Sequence, residues 1–225
     1  MDSMFSTLRE QRLSSFEGLQ LTDQTYNLAI GVTLLAGILL DIAIAYFFTD
    51  FIVQIHPIVI LIVYLIGSFG CTFVIYHSSK PLVSFLGFMG LAAAMGILLT
   101  NLITVYSIGS VLKAFNLTGV VFLAMVALST LFPQFFLSIG RGLGAALLIT
   151  LVVEVFAALI FRSALTIADY LVVLIFAGYV GYDWARAQRF PKTLDNAIDS
   201  AADIYVDIVN LFIRILRIIG KSKKD

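Results

Sequence analysis

Near its carboxyl end the chain reads Asp203-Ile-Tyr-Val-Asp207-Ile-Val-Asn210-Leu-Phe-Ile-Arg214-Ile-Leu-Arg217-Ile-Ile. At 100° per residue on a helix, the polar side chains of this region share an arc of roughly 80°: Asp199, Asp203, Asp207, Asn210, Arg214 and Arg217. Outside that arc almost every residue is apolar. A narrow polar stripe in a wide apolar coat indicates a helix packed among apolar neighbours, with one seam facing polar groups or water. The alternative is an amphipathic helix on the membrane surface, with its stripe towards solvent.

The composition is that of a polytopic membrane protein. Of 225 residues, 60% are hydrophobic and only 12% are charged, and no soluble domain of this size can bury so much apolar surface. The formal net charge is zero, so nothing suggests nucleic acid as a partner. Cys71 is the single cysteine, which excludes an intrachain disulfide. We expect no cleavable signal peptide, because about 25 mostly polar residues precede the first apolar run.

Six apolar runs have the length of about 20 residues that a bilayer requires. They are Asn27–Phe48, Ile58–Tyr76, Leu82–Tyr106, Leu117–Leu137, Leu143–Ile160 and Ala164–Tyr182. Pro133 is predicted to kink the fourth span, and Gly140-Arg141-Gly-Leu-Gly144 to turn the chain into the fifth. Gly140 and Gly144 also have the spacing that lets two helices approach closely. We expect a cytoplasmic arm at 1–25, one transmembrane helical domain at 26–220 and a short basic tail at 221–225.

Basic residues in the predicted loops set the orientation in the membrane. The even-numbered loops contain Lys80, Arg141, Arg186, Arg189 and Lys192. The odd-numbered loops contain only Lys113 and Arg162. The even-numbered loops and the amino terminus are therefore predicted to face the cytoplasm.

The carboxyl-terminal tail is also basic, with Lys221, Lys223 and Lys224. A last helix that crossed the membrane completely would place this tail outside, against the rule for basic residues. The charges therefore favour a re-entrant or half-buried seventh helix, and both termini in the cytoplasm. The predicted fold is an all-α membrane protein, a seven-helix bundle with six transmembrane spans surrounding a C-terminal central or re-entrant helix.

Four carboxylates lie in or at the edge of apolar runs, where an ionisable group usually faces a bundle interior or a water path: Asp41, Glu154, Asp183 and Asp207. Asp41 has the alternative of lying near an outer mouth, Glu154 of pairing with a hydroxyl, and Asp183 of being an interfacial residue at a helix end. Two carboxylates in a low-dielectric place share a proton and titrate as a unit. Such a pair can also attract a divalent cation.

Arg214 and Arg217 follow Asp207 on the same polar arc. One hypothesis is that they point inward and balance the carboxylates, and the other is that they snorkel to the cytoplasmic surface. Asn210 and Arg214, with Asp41 and Glu154, are candidate cavity-lining residues. The sequence contains no HExxH, no GxSxG and no cluster of Cys and His, so we expect neither an enzyme nor a bound cofactor.

The tail Ala201…Tyr205-Val-Asp207-Ile-Val-Asn210-Leu211-Phe212…Leu216…Gly220 resembles the terminal signature of the Bax inhibitor-1-like family, the transmembrane Bax-inhibitor-motif proteins. Gly181-Tyr182-Asp183, which ends span six, is similar to the site of the family's first paired aspartate, and Asp183 precedes Asp207 by 24 residues. Ala114-Phe115-Asn-Leu-Thr118 is a weaker match. The resemblance implies six helices around a seventh and a proton-sensitive calcium leak. Asp183 and Asp207 would share a proton at the cytoplasmic side of the pore and bind calcium transiently.

In bacterial members of that family an arginine near the inner end of span two latches onto the aspartates. Here His77 occupies the corresponding place, so either the latch is absent or His77 forms a candidate gate. Histidine changes charge between about pH 5 and 8, so a histidine latch would hold the pore closed only over an intermediate range of pH. The alternative is an ordinary loop histidine.

Two functions fit these observations. The first is a pH-sensitive calcium-permeable leak channel of a bacterial inner membrane, in which calcium and protons are the ligands and the last helix closes the pore. The second is a non-conducting regulatory protein that binds other membrane proteins, such as a membrane protease. Calcium flux into liposomes distinguishes them.

Topology reporters test the orientation. Fusions at Gly220 and near Met1 are both expected to report a cytoplasmic location, because the loop after span six and the tail are both basic. A periplasmic report from Gly220 would reject the re-entrant last helix.

Overall fold

The computed structural model of the chain describes residues 20–161 and 166–220. Within these ranges the chain forms eight helices: α1 (Asp23–Phe47), α2 (Thr49–Ile52), α3 (Pro57–His77), α4 (Pro81–Ile103), α5 (Ile108–Leu131), α6 (Pro133–Phe161), α7 (Thr166–Ala187) and α8 (Leu194–Ile219). Most of the predicted amino-terminal arm, Arg162 and the basic tail lie outside the described residues. The prediction of an all-α chain is confirmed for the part that the structure describes.

Five of the described helices are long and apolar enough to cross a membrane, namely α1, α3, α4, α5 and α6 up to Ala157. Helix α7 has 22 residues but carries Asp169 in its first turn and Arg186 in its last. Helix α8 has 26 residues and the polar stripe described above. The chain is therefore a multi-pass membrane protein, and the count of six spans around a seventh helix stays a prediction.

Local sequence explains where these helices begin. Pro57 and Pro81 occupy the first turns of α3 and α4, where the missing proline N–H would have no helical partner in any case. The Thr22 side chain caps α1 by accepting a hydrogen bond from the Thr25 N–H, and Ser107 caps α5 in the same way. Such caps satisfy amide groups that the first turn of a helix leaves without partners.

The prediction for spans four and five was wrong in its boundaries. The break lies at Phe132, with φ −125° and ψ 55°, and Pro133 begins α6 instead of kinking span four. Proline disfavours the helical conformation of the residue before it and cannot donate to the preceding turn. The predicted turn at 140–144 is helical, because in an apolar setting the glycine backbone groups are best satisfied within a helix.

The helix boundaries also remove three residues from the argument on orientation. Lys113 lies inside α5, Arg141 inside α6 and Arg186 in the last turn of α7, so none of them is a loop residue. The argument then depends on Lys80 and on the basic residues after Ala187.

The chain divides into two compact units. Unit 1 comprises Met1–Thr104 and Ala187–Tyr205, and unit 2 comprises Val105–Arg186 and Val206–Asp225. Helix α8 contributes its amino-terminal residues to unit 1 and its carboxyl-terminal residues to unit 2. In unit 1 the Tyr26 side chain is fully buried, and its hydroxyl donates a 3.1 Å hydrogen bond to the Ala187 carbonyl.

In unit 2, glycines bring α6 and α7 close together. A Cβ at Gly140 would lie 2.3 Å from the Tyr182 ring, and one at Gly181 would lie 2.4 Å from the Phe136 ring. Gly144 faces the hydroxyl of Tyr179, 3.4 Å from the place of a Cβ. Gly140 and Gly144 therefore both face α7, as expected for small residues at a helix contact.

Two alanine substitutions on α6 test this contact. Gly140→Ala is expected to lower the free energy of unfolding by about 1–3 kcal/mol, because the Tyr182 ring has to move. Gly142→Ala is the matched control, since a Cβ there meets nothing within 4 Å, and the gain in helix propensity is about 0.5–1 kcal/mol. Thermal unfolding of the purified protein measures both. Equal effects of the two substitutions would contradict the close contact.

Candidate functional site

Helix α8 is buried or half-buried along most of its length. No residue between Asp195 and Ile218 is exposed, and the exposed fractions of Asp199 and Asp207 are 0% and 6%. The polar stripe therefore faces protein. This burial contradicts the alternative of a surface helix with its stripe towards solvent.

In unit 1, carboxylates of α8 accept hydrogen bonds from hydroxyl groups on neighbouring helices. Tyr76 of α3 donates to Asp203 at 2.8 Å, and Ser84 of α4 donates to Asp195 at 2.7 Å. Asp195 extends the series of aspartates to four members at intervals of four residues: Asp195, Asp199, Asp203 and Asp207. Sequence reasoning missed Asp195 because it was assigned to a loop, and it missed Tyr76 because a tyrosine at the end of an apolar run has a common role as an interfacial anchor.

Asp41 of α1 contacts α8. Its Oδ2 accepts a 2.7 Å hydrogen bond from the hydroxyl of Tyr205, whose ring packs edge-on against Phe88 at 5.4 Å. Its Oδ1 is buried, makes no hydrogen bond to the described residues and lies 2.8 Å from the place of a Cβ at Gly96. Within unit 1, Asp41 is thus a point of attachment for α8.

In unit 2, the structure places Arg214 inward, as one of the two hypotheses held. Its guanidinium donates to Glu154 of α6 through Nη2 at 3.0 Å and to Asp169 of α7 through Nη1 at 2.7 Å. Arg217 reaches the same Asp169 oxygen at 3.3 Å. The Arg214 side chain is only 13% exposed, against 32% for Arg217. We call these four residues the ion cluster, and its formal charges balance.

The ion cluster changes the interpretation of three residues. Glu154, a candidate cavity-lining residue, is paired with a guanidinium. Asp169 was missed, although an acidic residue early in an apolar run indicates a buried polar role. Asn210 is half-buried, and its amide donates to the Val206 carbonyl of its own helix at 2.8 Å.

Asp183 and Asp207 both belong to unit 2, where Asp183 lies on α7 and Asp207 on α8. Arg186 lies 3.9 Å from Asp183, at the outer limit of an ion pair. Among the described residues no group of three or more His, Cys, Asp or Glu is arranged to hold a metal. Because calcium takes six to eight oxygen ligands, two carboxylates would need water or other oxygens, and calcium binding here stays a prediction.

His77 is the last residue of α3 and is exposed. Its ring stacks on Phe73 of the same helix, with the ring centroids 4.0 Å apart, and its Nδ1 lies 2.9 Å from the Phe73 carbonyl oxygen. The neighbouring Tyr76 contacts α8 through its hydrogen bond to Asp203. The latch role of His77 stays a prediction.

The described chain has several apolar helices of membrane-crossing length. It also has a buried helix, α8, that carries aspartates and arginines. Together they define a multi-pass helical membrane protein with an internal polar site. The family model described as "Inhibitor of apoptosis-promoting Bax1" matches residues 20–224. The chain belongs to this Bax inhibitor family, and the resemblance drawn from its carboxyl-terminal residues is confirmed.

Relatives come from viruses, animals and bacteria. The Golgi anti-apoptotic protein of vaccinia virus (strain Lister) is 25% identical over 174 residues, which cover 76% of this chain and 73% of the viral protein. Protein lifeguard 4 of Mus musculus is 29% identical over 170 residues, covering 73% and 70%. An uncharacterized membrane protein of Vibrio cholerae serotype O1 is 31% identical over 176 residues, covering 75% and 77%.

Substitution of the two arginines tests the ion cluster. Arg214→Leu is expected to lower the free energy of unfolding by about 3–5 kcal/mol, because it leaves buried carboxylates without their main partner. Arg217→Leu is the matched control and is expected to cost about 1 kcal/mol or less, because that side chain is more exposed. Yield and thermal unfolding in detergent measure both. A normal yield and melting temperature for Arg214→Leu would reject the inward role.

Proposed function

We propose that this protein is a pH-sensitive calcium-permeable leak channel of a bacterial inner membrane, with both termini in the cytoplasm. The observation that carries the proposal is that Asp183 and Asp207 both lie in unit 2, Asp183 on α7 and Asp207 on α8. Asp207 is buried, with an exposed fraction of 6%. A carboxylate in such a place is costly to ionise alone, so a shared proton or a cation satisfies it.

The Asp183–Asp207 pair accounts for both the pH sensitivity and the calcium permeability of the proposed channel. With one proton between them, Asp183 and Asp207 carry a single negative charge and bind to each other. When the proton leaves, two like charges repel, and a divalent cation becomes the favoured counterion. Proton loss thus loosens the contact between α7 and α8 and creates a site for calcium in the same step.

The ion cluster supports the assignment of α8 as the element that closes the pore. Arginine remains charged at any working pH, so Arg214 holds the carboxyl-terminal half of α8 to α6 and α7 while the aspartates change protonation. The pH response is therefore confined to the contact at Asp183 and Asp207, while the attachment of α8 at the ion cluster does not change.

The alternative is a non-conducting regulatory protein that binds other membrane proteins, such as a membrane protease. It is supported by the name of one relative, the Golgi anti-apoptotic protein of vaccinia virus, which refers to apoptosis and names no ion. Under this alternative the aspartates are structural, and purified protein conducts nothing.

Calcium flux into liposomes tests the proposal. The parent protein is expected to conduct with a pH-dependent rate, and Asp183→Asn or Asp207→Asn is expected to remove most of that pH response, because neither variant has two carboxylates that share a proton. Asp50→Asn is the matched control, since Asp50 is exposed. Absence of flux in the parent favours the regulatory alternative. An unchanged pH profile in both single variants would reject the pair as the sensor.

The same assay tests His77. If His77 is a latch, His77→Arg is expected to extend closure of the pore to higher pH, because arginine does not lose its charge. His77→Ala is then expected to leave the pore open at every pH. If both variants match the parent between about pH 5 and 8, His77 is an ordinary helix-end residue.

A further inference from the structure

Asp41 is an acidic residue inside a helix of membrane-crossing length, and the proposed channel does not use it. It lies on α1, in unit 1, where α1 meets α4 and α8. The Tyr205 hydroxyl of α8 donates a 2.7 Å hydrogen bond to its Oδ2. The Tyr205 side chain is fully buried, because its ring packs against Phe88 of α4 and lies 3.1 Å from the place of a Cβ at Gly37 of α1. The hydrogen bond is therefore fixed in a contact between three helices.

The other carboxyl oxygen of Asp41, Oδ1, faces α4. It is buried and accepts no hydrogen bond from a described residue. It lies 2.8 Å from the place of a Cβ at Gly96, and that place is also 3.0 Å from the Cδ1 atom of Ile44. Glycine at position 96 thus lets the α4 backbone pass close to this oxygen, and no polar group of the described chain satisfies it.

Asp41 has no cationic partner among the described residues, since it forms no ion pair with any of them. Within unit 1, the ionisable side chains of α1 and α8 are all acids or phenols, and α4 has no ionisable side chain. Apart from Asp41 and Tyr205 they are Asp23, Tyr26, Tyr46, Asp195, Asp199 and Asp203. An ionised Asp41 would therefore hold its charge among apolar groups, with one hydrogen bond and no counter-charge.

We propose that Asp41 is a proton-binding site separate from the Asp183–Asp207 pair, whose carboxyl group is protonated in the folded protein at neutral pH. The Tyr205 hydroxyl donates to one carboxyl oxygen, and the proton is on the other. A buried carboxylate without a cation takes up a proton, because burial of a charge costs far more than burial of a neutral polar group. This assignment goes beyond the channel and does not depend on it.

Proton binding at Asp41 and the packing of the three helices are linked. Loss of the proton would leave a charge on an oxygen that faces the α4 backbone, and water would have to enter between α1 and α4 to hydrate it. Alkaline pH therefore favours a looser contact, and neutral or acidic pH favours the packed one. Tyr205 precedes Asp207 by two residues on α8, so this contact holds the helix just before the proposed sensor.

Infrared difference spectroscopy of the purified protein in lipid at neutral pH tests the assignment. The spectrum of the parent minus that of Asp41→Asn is expected to contain the C=O band of one protonated carboxyl group. Asparagine has nearly the same size and still accepts a hydrogen bond from Tyr205 through its carbonyl oxygen, so the contact is kept. Asp50→Asn is the matched control, because Asp50 is exposed, and its difference spectrum is expected to lack such a band.

Tyr205→Phe keeps the carboxyl group and removes its hydrogen bond. The Asp41 band is expected to move to higher frequency, because a carboxyl C=O group that loses a donor vibrates faster. This shift is measured against the parent, so it also serves if Asp41→Asn fails to fold. Asp183→Asn is expected to leave the band in place, because the pair is a separate site.

Three results overturn the proposal: a neutral-pH spectrum with no Asp41-dependent band of a protonated carboxyl group, a band that Tyr205→Phe does not move, or a band that Asp183→Asn removes. Calcium flux has no part in this readout. A protein that conducts nothing but shows the Asp41 band rejects the channel and supports this site, and flux without the band does the reverse.

Discussion

Charged side chains on a buried helix have to be satisfied by the protein, and this constraint on α8 accounts for much of the structure. A carboxylate or guanidinium at membrane depth costs at least ~2.5–3.5 kcal/mol. Helix α8 carries six such groups along one side: Asp195, Asp199, Asp203, Asp207, Arg214 and Arg217. Hydroxyls from α3 and α4 reach the first part of this arc, and carboxylates from α6 and α7 reach the last.

The two ends of the arc differ in chemistry. In unit 1 the aspartates of α8 accept hydrogen bonds from neutral donors such as Tyr76 and Ser84. In unit 2 Arg214 and Arg217 keep their charge over the whole physiological range. Asp207 lies between these two parts along the helix. In the proposed channel, Asp207 changes protonation while Arg214 keeps the carboxyl-terminal part of α8 attached to α6 and α7, which suits a local movement better than release of the whole helix.

The sequence predicted those features that depend on strong local rules. Pro57 and Pro81 marked helix starts correctly because proline suits a first turn, and the arc of α8 followed from its helical period. The prediction failed where two local rules competed. Gly140 and Gly144 suggested a turn, but the helix ends earlier, at Phe132, because Pro133 follows it. Tyr76 and Asp169 were missed because a tyrosine or a single acid in an apolar run does not indicate its partner. Those partners lie on other helices, 45 residues away for Asp169 and Arg214 and 127 for Tyr76 and Asp203.

The separation of the Asp183 and Asp207 carboxyl groups is the quantity that tests the account most directly. It can be measured in experimental structures determined in lipid at an acidic and at an alkaline pH. The account predicts oxygens about 2.5–3 Å apart when one proton is shared, and a wider separation, with water or a cation between them, when the proton is lost. Carboxyl groups more than about 8 Å apart at both pH values, with no bridging water or ion, would contradict it.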